Sequence, residues 1–516
     1  MTTRLPDSMR ALRVARSRCE ITPVTSLHES SSLNGANSHG WIGTETVITR
    51  LGNFEFRGGY PTEDAAHRLA DQRTHSRAVE VFLSQMPVVS MYHVWKGAAG
   101  AGRGIPNQIV MWETSIDART VVLTGNSETV YALCALDLER DGPMVVDVPL
   151  GVMGGITDLW QSQVVSIGPR GIDRGNGGQF VLLPPSHDGP LPDGYFAVKS
   201  PTFRTVMGLR GFPVGGPRDK AMAVLKRVKV YPLTSLGKPT ATTIVNASSE
   251  TLDMVFPDTG QFFEDLAQII QHEPAERVSP GDHFLLASIG IEKGRRFAPN
   301  AAREALLRDA ARLGAATARA NTFSSNDPTR RVYQDRQWEW AFTGRGTPGT
   351  PAPLDVDHRA AFAYIAFGVS PAMVDHVVGQ SSEYLWTPRD SKGAFLDGAR
   401  QYELRLPPGI PVRLFWSVVV YDAVSRSMLE NGATATVSQY SGPAINSDGS
   451  VDLCFGPVAP AGREANWVKT VEGKGWFPLL RLCAPLPSFF SQAWRPDDII
   501  ELRYRRPELI PIDRQQ

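Results

Sequence analysis

The chain has 516 residues, of which 42% are hydrophobic and 21% are charged. This is the composition of a globular protein, and the length predicts two or three domains. The 53 basic and 53 acidic side chains give a formal net charge of zero, so no global positive field favours nucleic acid or an anionic membrane.

The first part of the chain predicts a flexible arm. Residues 1–42 combine scattered arginines with a Ser/Asn-rich stretch, and they lack the apolar periodicity that would offset the entropy of ordering the chain. The sequence shows no secretory leader and no run of about 18 apolar residues that could cross a membrane. We therefore expect a soluble, cytoplasmic protein whose arm is removed first by limited proteolysis.

Residues 43–210 predict a β-rich N-terminal domain with one early helix. The segment 61–86 spaces its apolar residues at helical intervals, and Pro61 and Thr62 form a plausible cap. Short apolar runs bounded by Gly, Pro, Asn or Asp follow at 107–114, 119–125, 129–138, 144–149, 178–185 and 194–200. Many short strands at this spacing predict a β-sandwich or jelly roll.

The rest of the chain predicts helices first and then strands. Residues 211–354 predict a mixed, helix-rich connecting region, because segments 259–271 and 300–321 carry apolar stripes at helical spacing. Residues 355–516 predict a second β-sandwich, in which 412–422 (VRLFWSVVVYD) has the composition of a strand buried on both faces. The predicted fold class is mainly β with α: two jelly-roll-like antiparallel β-sandwich domains connected by a helical segment.

Motifs for phosphate, calcium or a serine nucleophile are weak. The glycine run 97–104, GAAGAGRG, follows a helix and opens none, so it predicts a flexible loop. The segment 446–452 predicts a hairpin turn, because a calcium loop would need different residues at its first and last ligand positions. Neither Ser235 nor Ser381 lies in a motif that would activate a serine.

No cofactor is predicted from residue spacing. Cys134, Cys454 and Cys483 lie inside apolar runs and predict buried free thiols. The histidines show no metal-ligand spacing. The sequence therefore predicts no organic cofactor and no metal site, while a divalent ion in a carboxylate cluster stays open.

The candidate site consists of polar residues inside apolar strands, where an unpaired polar group costs about 1–3 kcal/mol. Tyr421, Asp422 and Arg426 end the strand 412–422, and we predict that they supply acid/base and anion-binding groups. The predicted substrate-binding residues are Asn126, Tyr131, Asp158, Trp160, Trp416, Asn466, Trp467 and Arg481. The alternative is a structural network in which Asp422 pairs with Arg426 or Arg481.

The strand period places two of these groups on different faces. Tyr421 shares a face with Phe415 and Val419, whereas Asp422 shares the other face with Trp416. Only a β-bulge would bring both side chains to one cavity, and bulges are common beside active sites.

Several of these stretches resemble a bacterial two-domain family. LGNFEFRGGYPTEDAAHRLADQ, LTGNSETVYALCALDLERDGPMVVDVP and GGITDLWQ resemble the domain of unknown function 1254, while FWSVVVYDAVSRSML, EANWVKTVEGKGWFPLLRL and AWRP resemble its usual partner, domain 1214. The resemblance covers residues 50–210 and 280–505 and implies two jelly-roll-like domains with helices between them, oligomers, and relatives that are often exported. This chain has Gly125 where the family usually has Pro, and Cys483 where it usually has Tyr.

The preferred hypothesis is an enzyme of hydrolase or lyase type that acts on a small, partly apolar organic molecule. The alternative is a non-catalytic ligand-binding or assembly protein, because jelly rolls also serve as lectin and capsid modules. A deep pocket with converging Asp, Arg and Tyr would favour catalysis, and exposed aromatic residues at a shallow groove would favour binding. The expected partners are a small-molecule ligand and further copies of the chain, without nucleic acid or membrane.

Overall fold

The computed structural model describes residues 44–102, 104, 106–190, 193–211, 218–237, 241–342, 355–368 and 371–502. The predicted arm, residues 1–42, lies outside the described residues. The chain forms two compact units that divide between Ala70 and Asp71. The first unit contains an antiparallel sheet in the order β1 (Thr44–Thr49), β2 (Gly52–Arg57) and β3 (Tyr60–Pro61).

The second unit contains the other strands. Those of its N-terminal half are β4 (Gln108–Met111), β5 (Thr120–Val121), β6 (Val130–Asp137), β7 (Met144–Val148), β8 (Met153–Asp158), β9 (Gln163–Ile167), β10 (Gly178–Leu183), β11 (Phe196–Lys199), β12 (Arg204–Gly211), β13 (Lys229–Pro232), β14 (Thr243–Asn246) and β15 (Leu252–Asp253). Those of its C-terminal half are β16 (Glu339–Trp340), β17 (Ser382–Trp386), β18 (Gln401–Leu406), β19 (Val412–Asp422), β20 (Thr436–Ser438), β21 (Val451–Gly456), β22 (Trp467–Lys469), β23 (Trp476–Pro485) and β24 (Ile500–Leu502).

Helices interrupt the strands. They are α1 (Glu63–Ala101), α2 (Leu138–Asp141), α3 (Arg218–Leu225), α4 (Gln261–His272), α5 (Pro280–Ser288), α6 (Ala301–Phe323), α7 (Val356–Ile365), α8 (Pro371–Val374) and α9 (Pro487–Phe490). The prediction of a mainly β fold with helices is confirmed at this level. None of the described helices combines the length and the apolar character needed to cross a membrane.

Helix α1 confirms one prediction and corrects another. The Thr62 hydroxyl accepts a hydrogen bond from the Ala65 N–H at 3.2 Å, so the predicted cap is present. The helix continues to Ala101, so the first part of the glycine run is helical and the predicted loop is wrong there. A Cβ atom on Gly97 would lie 2.7 Å from the Met254 side chain, and the missing side chain lets the two segments approach closely.

Two sheets of the N-terminal half share one hydrophobic cluster. The six-stranded sheet has the order β14-β4-β6-β12-β8-β9, and the four-stranded sheet has the order β11-β10-β7-β13. The cluster takes Cys134 and Met207 from the first sheet and Val146 and Phe180 from the second. Strands β13 and β14 lie beyond residue 210, so these sheets extend past the predicted boundary of the N-terminal domain.

Two sheets of the C-terminal half share a second cluster. A five-stranded sheet in the order β16-β17-β23-β19-β20 packs against a four-stranded sheet in the order β22-β21-β18-β24. Trp416 and Leu480 come from the first of these sheets, and Leu404 and Phe455 come from the second. The predicted burial of Cys134, Cys454 and Cys483 as free thiols is confirmed.

A third cluster joins the two halves. The six-stranded sheet contributes Tyr131 and Val206, and the five-stranded sheet contributes Tyr384 and Tyr421. Helices α1, α4, α6 and α7 add side chains to this cluster. Each of these two sheets therefore buries both faces: one against its own partner sheet and the other against this central core.

Candidate functional site

A cavity of about 450 Å³ interrupts the central core between the six-stranded and five-stranded sheets. Alternation along β12 explains one wall. Val206, Gly208 and Arg210 occupy every second position and line the cavity, whereas Met207 and Leu209 face the cluster of the N-terminal sheets. The same period brings Tyr384 of β17 and Arg481 of β23 into the opposite wall.

Each sheet presents one arginine beside one tyrosine. Arg210 lies opposite Tyr131 in the pairing of β12 with β6, and its guanidinium carbon is 5.0 Å from the centre of the Tyr131 ring. Arg481 lies opposite Tyr384 in the pairing of β23 with β17, at a corresponding distance of 5.9 Å. All four side chains line the cavity.

Arg481 is a fixed part of the wall and is 3% exposed. Its Nη2 donates to the Thr124 carbonyl and to the Tyr421 hydroxyl, each at 2.7 Å, and approaches the Gly125 carbonyl at 3.4 Å. Its Nη1 is buried and has no hydrogen-bond partner among the described residues. Nη2 of Arg481 therefore bonds to protein acceptors, while Nη1 remains available to an acceptor on a bound molecule.

The segment around Thr124 is held in an unusual conformation. Thr124 has a φ of 42°, a region that non-glycine residues rarely adopt. Its N–H donates to the Arg426 carbonyl at 2.9 Å, and its hydroxyl donates to the Ile365 carbonyl at 2.7 Å. Such strain persists where the surroundings fix it, and it is frequent at functional sites. Asn126, which also lines the cavity, follows directly.

The electrostatic character of the wall is positive. Burial opposes the charge on Arg481, but the nearby phenols of Tyr421 and Tyr384 outweigh it, and the pKa of Arg481 is raised. The pKa of Arg210 is also raised, with burial opposed first by Tyr131. Phenols ionise at about pH 10, so they carry no charge at neutral pH. Neither arginine forms an ion pair with a carboxylate of the described residues.

Tyr384 retains its proton at neutral pH. Burial raises the pKa of its phenol, and the charges of Arg210 and Arg481 only partly oppose this effect. The described residues that line the cavity include no Asp, Glu or His. A buried, protonated phenol between two cations is therefore the best-placed proton donor of the described wall.

The predicted catalytic residues lie behind this wall. The Tyr421 hydroxyl donates to the Gly125 carbonyl and accepts from Arg481, so it supports the wall without lining the cavity. Arg426 has a φ of 58° and donates to the Tyr364 carbonyl at 3.0 Å. The direct catalytic role of these residues stays a prediction.

Asp422 lies on the opposite face of β19. Its pairing with β23 runs in register from Phe415 to Asp422, so the bulge that could re-aim one side chain is not present there. Asp422 accepts from Lys474 Nζ at 2.5 Å and from the Val424 and Ser425 N–H groups at 2.7 and 2.9 Å. Its ion-pair partner is therefore Lys474, in place of the predicted Arg426 or Arg481.

The predicted substrate-binding residues divide into two groups. Those that line the cavity are Asn126, Tyr131 and Arg481. Those that make other contacts are Asp158, Trp160, Trp416, Asn466 and Trp467, none of which lines it.

Each residue of the second group has a defined structural partner. Asp158 pairs with Arg277 at 2.8 Å, and the Arg277 guanidinium lies 5.5 Å from the Trp160 ring centre. Trp416 belongs to the cluster of the C-terminal sheets.

The remaining two residues of that group bond to the backbone. Asn466 donates to the Asp452 carbonyl at 2.9 Å, and the Trp467 indole donates to the Gly456 carbonyl at 2.9 Å. Trp416 and Trp467, both predicted to bind the substrate, are therefore not part of this cavity.

Two cavity residues were missed by the sequence reasoning. Arg210 lies in the apolar segment TVMGLRG, and Tyr384 lies in SEYLW. Both interrupt a strand in the same way as Arg481, so the same criterion of a polar residue inside an apolar strand would have found them. Among the described residues, no group of three or more His, Cys, Asp or Glu side chains is arranged to hold a metal ion.

Comparison with protein families confirms the resemblance. Residues 106–232 match the model of a protein of unknown function, DUF1254, and residues 381–487 match that of DUF1214. Arg210 and Tyr131 lie within the first match, and Tyr384 and Arg481 lie within the second. The cavity is thus lined by residues of both domains.

One solved structure shows a related fold, and a second gives a weaker match. The crystal structure of the VPA0106 protein from Vibrio parahaemolyticus has a TM-score of 0.51 and 17% identity, and the match covers 83% of this chain and all (100%) of that one. An uncharacterised protein from Burkholderia cenocepacia has a TM-score of 0.35 and 12% identity over 84% of this chain and 95% of its own. No curated protein is similar enough to this chain to count as a match.

Proposed function

We propose that the protein binds a small, partly apolar organic molecule in the cavity between its two halves and converts it in a hydrolase- or lyase-type reaction. The observation that carries this proposal is a cavity of about 450 Å³ with a mainly apolar lining and a few converging polar groups. This combination is typical of small-molecule sites. The apolar lining includes Met91, Leu133, Val206, Phe342 and Leu414.

The chemistry assigned to the described wall is proton donation and charge stabilisation. Tyr384 would donate a proton to a leaving group, and the adjacent guanidinium groups would stabilise negative charge that develops on the substrate. Burial in a largely apolar space strengthens such interactions. This scheme uses no organic cofactor.

Ligand binding without turnover is the second candidate. The absence of a carboxylate or imidazole among the described lining residues favours it, because these are the usual general bases. In each half, two sheets pack around one hydrophobic cluster, which supports the interpretation of a jelly-roll-like sandwich. Jelly rolls also serve as binding and assembly modules.

Metabolite profiling separates the two candidates. The protein and its Tyr384→Phe variant are incubated with a bacterial small-molecule extract, and the extract is compared by mass spectrometry before and after. We expect a compound that the unmodified protein consumes and that Tyr384→Phe leaves intact. A compound that binds and is recovered unchanged supports the binding protein.

A cavity-filling variant tests whether the ligand occupies this space. A Cβ on Gly208 would lie 3.6 Å from Leu133, and Gly208 has no positive φ. We therefore expect the protein to tolerate Gly208→Ala, whereas the larger side chain of Gly208→Leu should fill part of the cavity. Loss of binding in Gly208→Leu but not in Gly208→Ala is the expected result. Equal binding by a folded Gly208→Leu would contradict the proposal.

A further inference from the structure

The unpaired half of Arg481 requires an explanation. Arg481 is 3% exposed, and its buried Nη1 has no hydrogen-bond partner among the described residues. A buried charged donor without an acceptor is costly. Arg481 lines the cavity, so an acceptor on a bound molecule could satisfy it.

Arg210 adds a second positive charge without a carboxylate partner among the described residues. It lines the same cavity from the facing sheet, and its polar neighbours are Tyr131 and Tyr384. Glu128 follows the lining residue Asn126 by two positions, but its two oxygens accept hydrogen bonds from Ser127 at 3.1 Å and Ser438 at 2.8 Å, and it forms no ion pair with Arg210 or Arg481.

The other arginines near the central core are neutralised, bonded to backbone carbonyls or exposed to solvent. Arg413, which also lines the cavity, is exposed and donates to the Gly379 carbonyl at 2.7 Å. Arg170, which also lines the cavity, forms an ion pair with Asp375 at 2.5 Å. Arg426 donates to the backbone carbonyls of Tyr364 and Val424 and has no buried atom left without a partner. Among the described arginines that line the cavity, Arg210 and Arg481 are the two that are neither exposed nor paired with a carboxylate.

We propose that the cavity recognises organic anions, with a carboxylate or a chemically similar oxyanion bound by Arg481 Nη1 and Arg210 and the apolar remainder of the ligand packed against Leu133 and Val206. Guanidinium groups match planar oxyanions in geometry and charge. Bidentate or bridging contacts would complete the hydrogen bonding of Arg481. The inference rests on the proposed small-molecule function and adds the class of ligand.

Calorimetric titration with chain-matched probes tests this class. Octanoate, octyl phosphate and octanamide share an alkyl chain that can occupy the apolar part of the cavity, and they differ in the charge and shape of the head group. We expect octanoate to bind about tenfold or more tightly than octanamide, as charge-assisted hydrogen bonds are stronger than neutral ones. Tighter binding of octyl phosphate than of octanoate would assign the site to phosphate esters.

Variants test whether the preference for octanoate over octanamide depends on the arginines. Arg210→Gln should lower octanoate affinity about tenfold or more while leaving octanamide affinity nearly unchanged. Arg170→Gln is the matched control, because its charge is already balanced by Asp375, and it should keep the preference. Arg481→Gln should also remove the preference, but it loses contacts that hold Thr124, so Arg210→Gln is the decisive variant if Arg481→Gln fails to fold.

The outcomes separate this inference from the proposed function. Equal binding of octanoate and octanamide, or an Arg210→Gln variant that keeps the preference, overturns the anion site and leaves the small-molecule cavity intact. If none of the three probes binds, both the anion site and the cavity function are contradicted.

Discussion

Tyr384 lies directly opposite Arg481 in the antiparallel pairing of β17 with β23, and Arg210 lies opposite Tyr131 in the pairing of β12 with β6. The two pairs come from different halves of the chain, yet they line one cavity. The phenol rings contact the guanidinium groups but carry no negative charge at neutral pH. Each half contributes one arginine, so two positive charges from different halves meet at one cavity.

Tyr421→Phe should weaken folding. The change removes two buried hydrogen bonds, the one that Tyr421 donates to the Gly125 carbonyl and the one that it accepts from Arg481, and we expect a loss of about 1–3 kcal/mol in the free energy of unfolding. Urea denaturation measures this loss. Tyr440→Phe is the control, because Tyr440 is 40% exposed and should tolerate the change. Lost turnover with unchanged stability would instead make Tyr421 a catalytic residue.

Asp422→Asn tests whether its ion pair with Lys474 is structural. Burial raises the pKa of Asp422, but Lys474 and the Ser425 and Val424 N–H groups outweigh it, so the pKa is lowered. A lowered folded-state pKa contributes stability that is complete above the unfolded value of about 3.9 and is lost as the pH falls through the folded value.

We expect Asp422→Asn to lose about 1–2 kcal/mol at neutral pH, discounted because Lys474 is half exposed to solvent. The difference from the unmodified protein should shrink below about pH 4, as measured by thermal unfolding across pH. Lys474→Met should reproduce most of the loss. A variant with normal stability but no turnover would support the predicted catalytic role.

The sequence predicts individual strands better than it predicts the cavity. The period of two places Arg481 and Leu479 on one face of β23 and Leu480 on the other, and this is the observed division between the central and C-terminal clusters. The same parity separates Trp416 from Tyr421, which explains why Trp416 does not reach the cavity.

The missing information concerns contacts between distant segments. Lys474 is separated from Asp422 by 52 positions in the chain, and no local pattern distinguishes it from other lysines. Similarly, period and composition show that Arg210 and Arg481 interrupt strands, but they do not show that these strands face each other.

Stability near the cavity rim should depend on His376. Its hydrogen bond to Glu383, at 2.7 Å, outweighs burial and raises the pKa of His376. Glu383 also accepts from Ser381, which lines the cavity. A raised folded-state pKa gives stability that is complete below the unfolded value of about 6.5 and is lost as the pH rises through the folded value.

His376→Gln should therefore lower the melting temperature most at about pH 6, with a smaller effect at about pH 8.5. His272→Gln is the control, since its contact with Glu139 joins two half-exposed side chains and such pairs contribute little. Parallel melting curves for the unmodified protein and His376→Gln over this range would show that the contact does not respond to pH.

Two helical glycines should respond oppositely to alanine. A Cβ on Gly314 of α6 would lie 2.6 Å from the Phe82 ring, whereas a Cβ on Gly100 of α1 would meet no atom within 4 Å. Gly314→Ala should reduce stability through this clash. Gly100→Ala should increase stability by about 0.5 kcal/mol, because alanine loses less entropy in a helix. Chemical denaturation measures the free energy of unfolding of both variants. A change in the same direction for both would contradict the packing described for these helices.

A crystal structure of the protein with 8-bromooctanoate tests the central claim most directly. The anomalous signal of bromine locates the alkyl end of the ligand independently of the protein atoms. We predict a bromine peak inside the cavity beside Leu133 and Val206, with the carboxylate within hydrogen-bonding distance of Arg481 Nη1. A bromine peak found only on the protein surface, with the cavity free of ligand at saturating concentration, would contradict the account.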